Sequence, residues 1–284
     1  MKKVKVGIVG YGFVGKATAN GFSKNTEVFV VDPLLGTSLS DLKEFMPEFI
    51  FLCLPTPMKK DGSQDFTLVE EVLREILFIK FSATIILKST VTPHNIKIVD
   101  NLIKDYTYNP EFLREKHAEE DFINSSMIIL GGSKDNQEKV KNLYENYSIC
   151  KTTNYVFTDN ITASLIKYSI NSFLASKVIF FNELRDLFNT SGAKEGWDTF
   201  IDILAMDKRI GNSHMNVPGH DGKLGFGGAC FTKDTAALIR YSQSLGQELT
   251  LLKKVVEINN DIRSKYDQVD QREKDQNVNY EFDD

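Results

Sequence analysis

A doubly wound α/β domain followed by a mostly helical region with one long helix is the architecture this sequence predicts, and three observations predict it. Short β-branched runs alternate with helical patterns through the first half. A glycine motif, Gly10-Tyr-Gly12-Phe-Val-Gly15, closes the first of those runs. Past residue 160 the alternation gives way to a helical stretch of some eight turns without Pro or Gly. Strand-helix alternation of this kind argues for a buried, mostly parallel sheet.

Taken in order, the runs VKVGIV (4–9), EVFVVD (27–32), FIFLCLP (49–55), TIILKST (84–90), YTYNPE (106–111) and SMIILGG (126–132) read as strands. Several are apolar on both faces, as parallel strands covered on both sides are. Helical periodicity runs through TLVEEVLREILF and NIKIVDNLIKD between them. These elements define a first domain over residues 1–155. The second, 156–266, opens on residues 161–189, which are apolar on more than one side and therefore should lie between domains or subunits. Ser191-Gly192 stops that helix, and WDTFIDILAM follows. A loop then holds six of the 18 glycines between Gly211 and Gly228, before two further helical patterns, KDTAALIRYSQSL and ELTLLKKVVEINNDIRSKY. From 267 to 284 the chain is polar and is expected to fray.

Composition narrows the function. A net charge of −5 gives no basic surface for nucleic acid. No apolar run approaches the roughly 20 residues that span a bilayer. Cys53, Cys150 and Cys230 form no even framework and no CxxC, so the chain reads as cytoplasmic and reduced, with no metal site.

The glycine motif gains meaning from its context. It follows a strand, opens a helix, and is followed by Asp32 at the end of the next strand, about twenty residues after Gly12. Gly10 permits the tight turn, Gly12 lets a pyrophosphate approach the backbone, and Gly15 lets helix and strand pack closely. The helix N-terminus favours the phosphate charge. A carboxylate at Asp32 bonds a ribose 2′-hydroxyl and repels a 2′-phosphate, and Pro33-Leu34 supply no arginine. NAD is the cofactor these residues predict.

Two further groups carry chemistry. Lys167 and Asn171 lie four apart on the long helix, amid Leu165, Ile166, Ile170, Phe173 and Leu174. The pair reads as a solvated stripe or, if embedded in apolar surface, as groups that need partners and can stabilise a developing alkoxide. Cys230 stands between a glycine cluster and Lys233-Asp234; a helix starting near Thr232 would place it just ahead of the N-terminus, a position that favours thiolate. It reads either as a packed small residue or as a nucleophile, whereas Cys53, inside a strand, reads as packing. A thiolate beside an NAD site suits an oxidation in two hydride steps, because it can trap the intermediate aldehyde and carry it to a thioester.

At this point the residues carry a resemblance. GIVGYGFVG (7–15), LPTP (54–57) with DG (61–62), KSTV (88–91), YNPEFLRE (108–115) with AEEDF (118–122), LIKYSINSFLASKVIFFNE (165–183), DKRIG (207–211) and GFGGACFTKD (225–234) run in the order found in the nucleotide-sugar dehydrogenases. The chain resembles that family over residues 4–245. The resemblance implies oxidation of the C6 alcohol of a sugar nucleotide to the uronate, with UDP-glucose the default substrate, a homodimer, and a place in polysaccharide biosynthesis. It implies that Cys230 is the nucleophile, that Lys167 and Asn171 stabilise the oxyanion, and that Asp234 orients lysine and water. Thr90 and Glu115 would line the reacting carbon. Glu111, Phe112, Leu113, Gly227 and Arg209, the last reaching a partner subunit, would join Lys167 and Asn171 in holding substrate. Phe13, Val14, Pro55, Thr56, Thr90 and Lys233 would join the glycines and Asp32 in holding NAD.

The sequence also departs from the pattern. The family's third domain, which holds much of the nucleotide, is not among these residues. Thr232 replaces a usual proline, His94-Asn95 a usual Gly-Thr, and Ser164 an acid; INSSM (123–127) lacks the usual Pro and Arg. MNVPGHDGKLG lengthens the loop between Arg209 and Cys230. A non-catalytic NAD-binding subunit and a two-electron β-hydroxyacid-type dehydrogenase are the alternatives; the thiol argues against the latter.

Overall fold

In the computed structural model, which describes residues 3–22, 24–266 and 270–280, the first strands form where β-branched runs predict them. The chain order is β1 (Val4–Val9), α1 (Phe13–Gly21), β2 (Thr26–Val31), α2 (Leu39–Phe45), β3 (Phe49–Leu52), α3 (Thr67–Ile79), β4 (Thr84–Leu87) and α4 (Pro93–Leu102). Next come β5 (Tyr106–Tyr108), α5 (Ala118–Ile123), β6 (Ile128–Gly132), α6 (Lys134–Tyr147), β7 (Tyr155–Thr158) and α7 (Asn160–Thr190). The remainder is helical: α8 (Trp197–Ala205), α9 (Ala229–Ser244), α10 (Thr250–Arg263) and α11 (Gln271–Asp275). The chain divides into two compact units, one of Met1–Thr56 with Asp65–Lys167, the other of Pro57–Gln64 with Tyr168–Asp284.

The first unit is built on a seven-stranded sheet of order β2-β1-β3-β4-β5-β6-β7. Pairings from β2 through β5 are parallel, as expected. The β5–β6 pairing is antiparallel, the one exception in a mostly parallel sheet among the described residues. The connection between those strands holds a single 3-10 turn and the six-residue α5, not a crossover helix, so β6 returns alongside β5. The edge strand β7, parallel to β6, escaped the sequence reading because its four residues are half-exposed and carry no clean alternation.

Alternation assigns the core. Ile50 and Leu52 of β3 and Ile85 and Leu87 of β4 face one side, against α2, α3 and α4. Phe51 and Ile86, one residue out of step, face the other with Val6 and Ile8. There Phe22, Phe51, Phe122 and Tyr144 pack ring against ring, with centroids 5.0 to 6.4 Å apart. The first two turns of α7 belong to this unit, with Ile161, Ala163 and Ile166 in the core beside Val91 and Val99.

Start signals place the helices. Ser38 caps α2 in a reciprocal box with Asp41, Thr92 caps α4 with Pro93 following, and Ser133 caps α6.

The second unit takes the rest of α7 and the four later helices. Ala175 and Ile179 of α7 pack with Phe226 and Val255, while Phe181 packs with Ile201, Met215 and Val217. Met58–Gln64 joins it: the Met58 N–H donates to the Gln276 carbonyl at 2.9 Å, and the Gln64 amide reaches the Tyr168 hydroxyl at 3.0 Å. Residues 270–280 do not fray as expected. Asp270 caps α11 in a box with Glu273, and Glu273 is buried among polar partners described below. Composition alone cannot reveal a polar segment that is anchored by specific bonds. Residues 267–269 and 281–284 of the expected tail lie outside the described residues.

Candidate active site

The nucleotide cradle in the first unit is built at the ends of β1 and β3, where the strand order reverses. The chain turns at Gly10 with φ +91°, its N–H donating to the Val31 carbonyl at 2.9 Å. A side chain here would collide with the Cys53 carbonyl oxygen, 2.6 Å from a Cβ. Gly15 is equally closed by the Gly10 carbonyl, whereas a Cβ on Gly12 would meet nothing within 4 Å. Closed positions on either side of an open one form a surface a pyrophosphate can reach. Phe13 and Val14 begin α1 behind it. Asp32 fixes its own carboxylate by accepting from the Tyr11 N–H at 2.7 Å and the Leu34 N–H at 2.9 Å. Each oxygen keeps a second lone pair for a ribose hydroxyl. The residues fit the cofactor.

Next to it, the Thr56 hydroxyl donates to the Thr90 carbonyl at 2.9 Å and the Leu54 N–H to the Ser89 hydroxyl at 2.8 Å. These bonds join LPTP to KSTV, so Pro55, Thr56 and Thr90 are held in one local structure.

Lys167 belongs to the same unit and is not a solvated residue: it is 3% exposed. Its ammonium donates to the Glu111 backbone carbonyl and lies 3.4 Å from the Glu111 carboxylate, over the Phe112 ring. Glu111 is itself 8% exposed and accepts from the Leu113 N–H at 2.6 Å. The lysine is thus held by the backbone turn of YNPEFLRE. The structure brings Glu111 to Lys167. Glu115 opens an exposed 3-10 turn four residues on, because the extended stretch from 109 to 114 carries it away.

A second buried ammonium, missed by the sequence reading, lies at the end of β4. Lys88 bonds the Asn109 side-chain oxygen at 3.1 Å and the Tyr144 hydroxyl at 3.3 Å. Burial pushes its pKa down, and burial pushes the Cys53 thiol up to about 12. Cys53 is packing, as its strand position suggested.

In the second unit, α9 starts at Ala229, three residues ahead of the expected Thr232. Gly228, with φ +75°, takes the cap position, so Cys230 sits inside the first turn instead of before it. The Thr232 hydroxyl donates back to the Gly228 carbonyl at 3.1 Å within that first turn. One turn on, Asp234 is 1% exposed and fully engaged: one oxygen accepts from the Asn171 amide at 2.7 Å, the other from the Lys233 ammonium at 2.6 Å. Asn171, a turn beyond Lys167 on α7, is therefore partnered, and the helix is not a solvated stripe there. Gly227 has no room for a side chain, because the Arg263 guanidinium fills the space a Cβ would take. Arg209 stands at the surface in an ion pair with Asp207, in a loop whose Ile210 and Gly211 carbonyls accept from Lys177.

The sequence reading missed Arg263, Arg272 and Glu273, which surround the glycine loop from the C-terminal side. Arg263 looked like any charge on a surface helix, and Arg272 and Glu273 fell in the polar stretch expected to fray. Among the described residues no cluster fit for a metal ion occurs, no disulfide forms, and no helix is long and apolar enough to cross a membrane.

Comparison with known proteins agrees with this geometry. The NAD-binding domain of the UDP-glucose/GDP-mannose dehydrogenase family matches residues 37–148, and the family's central domain matches 161–261. A UDP-glucose 6-dehydrogenase of Rickettsia bellii is 36% identical over 199 residues, 67% of this chain and 44% of the relative. The chain spans about half the length of such curated relatives. A solved UDP-glucose dehydrogenase from Pyrobaculum islandicum superposes with a TM-score of 0.73 at 28% identity, over 90% of this chain and 68% of that one. A 3-hydroxyisobutyrate dehydrogenase of Mycobacterium tuberculosis shares the fold at 16% identity, with a TM-score of 0.73 over 94% of this chain and 96% of its own. With both domain matches in order, and with the glycine cradle and Asp32 placed as NAD requires, this chain belongs to the UDP-glucose/GDP-mannose dehydrogenase family and uses NAD.

Proposed function

We propose that the chain takes part in the four-electron oxidation of the C6 alcohol of a sugar nucleotide, UDP-glucose first among candidates, to the uronate. The observation that carries this reading is Cys230 in the first turn of α9, with Asp234 one turn on and bonded to Asn171. A two-electron alcohol oxidation has no use for a thiol. Gly10, Gly12, Phe13, Val14, Gly15, Asp32, Pro55, Thr56 and Thr90 would hold NAD, which supplies hydride acceptance when bound.

The protein's own groups do the rest. Loss of one hydride and a proton from the alcohol leaves an aldehyde. The Cys230 thiolate adds to its carbon, and Lys167 and Asn171 donate hydrogen bonds to the oxyanion that forms. Loss of a second hydride gives the thioester, and water then releases the carboxylate and regenerates the thiol. In sum, one alcohol, one water and two NAD give one carboxylate, two NADH and three protons. Glu111, beside Lys167, is a buried carboxylate able to take a proton, and Thr90 and Glu115 are assigned to the reacting carbon and its water. Lys233 holds Asp234, and Glu111, Phe112, Leu113 and Gly227 are assigned to the substrate.

A homodimer is part of the reading. Phe173, Phe180 and Leu187 are exposed on α7 at seven-residue spacing, a stripe that suits the same helix of a second copy. Arg209 would then serve the partner's substrate, and a cytoplasmic location is part of the same reading. The test is NADH formed per UDP-glucose consumed, beside Cys230→Ser. A yield of one NADH would favour the two-electron alternative, and NAD binding without any turnover on several sugar nucleotides would favour a silent subunit.

A further inference from the structure

The described C-terminal segment closes onto the start of α9 and is fastened there by a buried carboxylate. Glu273, 2% exposed, accepts from the Gly228 N–H at 2.8 Å, the Asp270 N–H at 2.9 Å and the Tyr280 hydroxyl at 2.6 Å. Arg263 lies 3.4 Å from it and bridges to Asp221 at 2.8 Å. Burial pushes the Glu273 carboxyl up, but the bonds from Tyr280, Asp270 and Gly228 outweigh it and hold its pKa below the usual carboxylate value. A carboxylate removed from water persists only with such partners, so this anchor is specific. The adjacent residue, Arg272, places a guanidinium nitrogen 3.6 Å from the Cys230 sulfur. Anchoring one fixes the other.

Several charged groups of these elements are bonded to other partners: Arg240 on α9 reaches the Asp61 carbonyl and Gln243, and Asp275 on α11 accepts from Gln271. Lys233 and Asp234, on the thiol's own helix, bond each other, and Asp234 also takes Asn171. Arg263 on α10 joins Asp221 to Glu273, and Tyr280 donates to Glu273. Arg272 is a cation with a hydrogen bond to the sulfur.

We propose that Arg272 is a positioning residue for the Cys230 thiolate, carried to the sulfur by the Glu273 anchor. It adds to the first-turn placement of Cys230 a full positive charge at hydrogen-bond distance, and both favour the anionic form. The idea rests on the reading of Cys230 as nucleophile. In that reading the segment beyond α10 contributes to the chemistry and does not merely trail from it.

The test is the rate of iodoacetamide alkylation at Cys230 in the full chain, resolved by peptide mass spectrometry from about pH 5 to pH 10. Wild type, Arg272→Lys and Arg272→Gln are compared, with Glu273→Gln as a second route to the same displacement. The proposal expects the Arg272→Gln midpoint to rise by about one unit, slowing alkylation near pH 7 about tenfold while the alkaline plateau stays unchanged. Arg272→Lys should fall between, and Glu273→Gln should move in the direction of Arg272→Gln. An unchanged midpoint overturns the proposal. So does a faster plateau at an unchanged midpoint, since that would mean Arg272 only shields the sulfur. Alkylation needs no turnover, so a Cys230→Ser chain with full NADH yield would sink the thioester reading while leaving this effect measurable.

Discussion

Asp32 and Cys53 show how far single residues carry the account. Asp32 is pre-set by two backbone N–H groups. Asp32→Asn keeps the shape and one acceptor oxygen but removes the charge-assisted bond to ribose, worth about 1.5–3 kcal/mol. NAD should therefore bind at least about tenfold more weakly in a calorimetric titration, and discrimination against NADP should fall. Cys53 gives a pH test. Its unfolded thiol ionises near 9.0 and its folded thiol near 12, so the unfolded chain loses its proton first as pH rises. Stability from this group is complete below 9 and declines across the window up to 12. Urea unfolding of Cys53→Ala should lack that component, and native Cys53 should resist alkylation at pH 8 while denatured Cys53 reacts. At this scale the sequence was readable where local geometry depends on near neighbours, as with the turn at Gly10 and the close approach at Gly15. It was not readable for Glu111 and Glu115, two acids four apart in one motif, because only the fold shows that one is buried against Lys167 and the other faces water.

Among the elements, strands and capped helices followed local chemistry. The Ser38–Asp41 box at the start of α2 is the kind of signal a sequence carries openly, and Ser38→Ala should cost about 1 kcal/mol in thermal or urea unfolding. Leu52→Ala, in a fully buried strand position, should cost about 2–5 kcal/mol. The long helix α7 was visible from its unbroken run, but not that its first two turns belong to the core of the sheet unit while the rest joins the helical one. The reversed β6 and the half-exposed β7 were hidden, since pairing direction depends on the connection and not on the strand's own residues. The anchored segment 270–280 was hidden for a related reason: a polar stretch held by four or five directed bonds has the composition of an unstructured one.

For the whole molecule, two expectations follow from the assignments above. The exposed Phe173–Phe180–Leu187 stripe should bury itself in a second copy, so light scattering at micromolar concentration should give twice the mass of 32.2 kDa. Phe180→Asp should shift that species toward monomer; a wild-type monomer would remove the dimer from the account. The central claim is the chemistry of Cys230, and the measurement that tests it most directly is the number of NADH formed per UDP-glucose consumed. Two per sugar, with Cys230→Ser binding NAD normally but failing to complete turnover, is the result the account predicts. Full turnover by Cys230→Ser, or one NADH per sugar from the wild type, would contradict it.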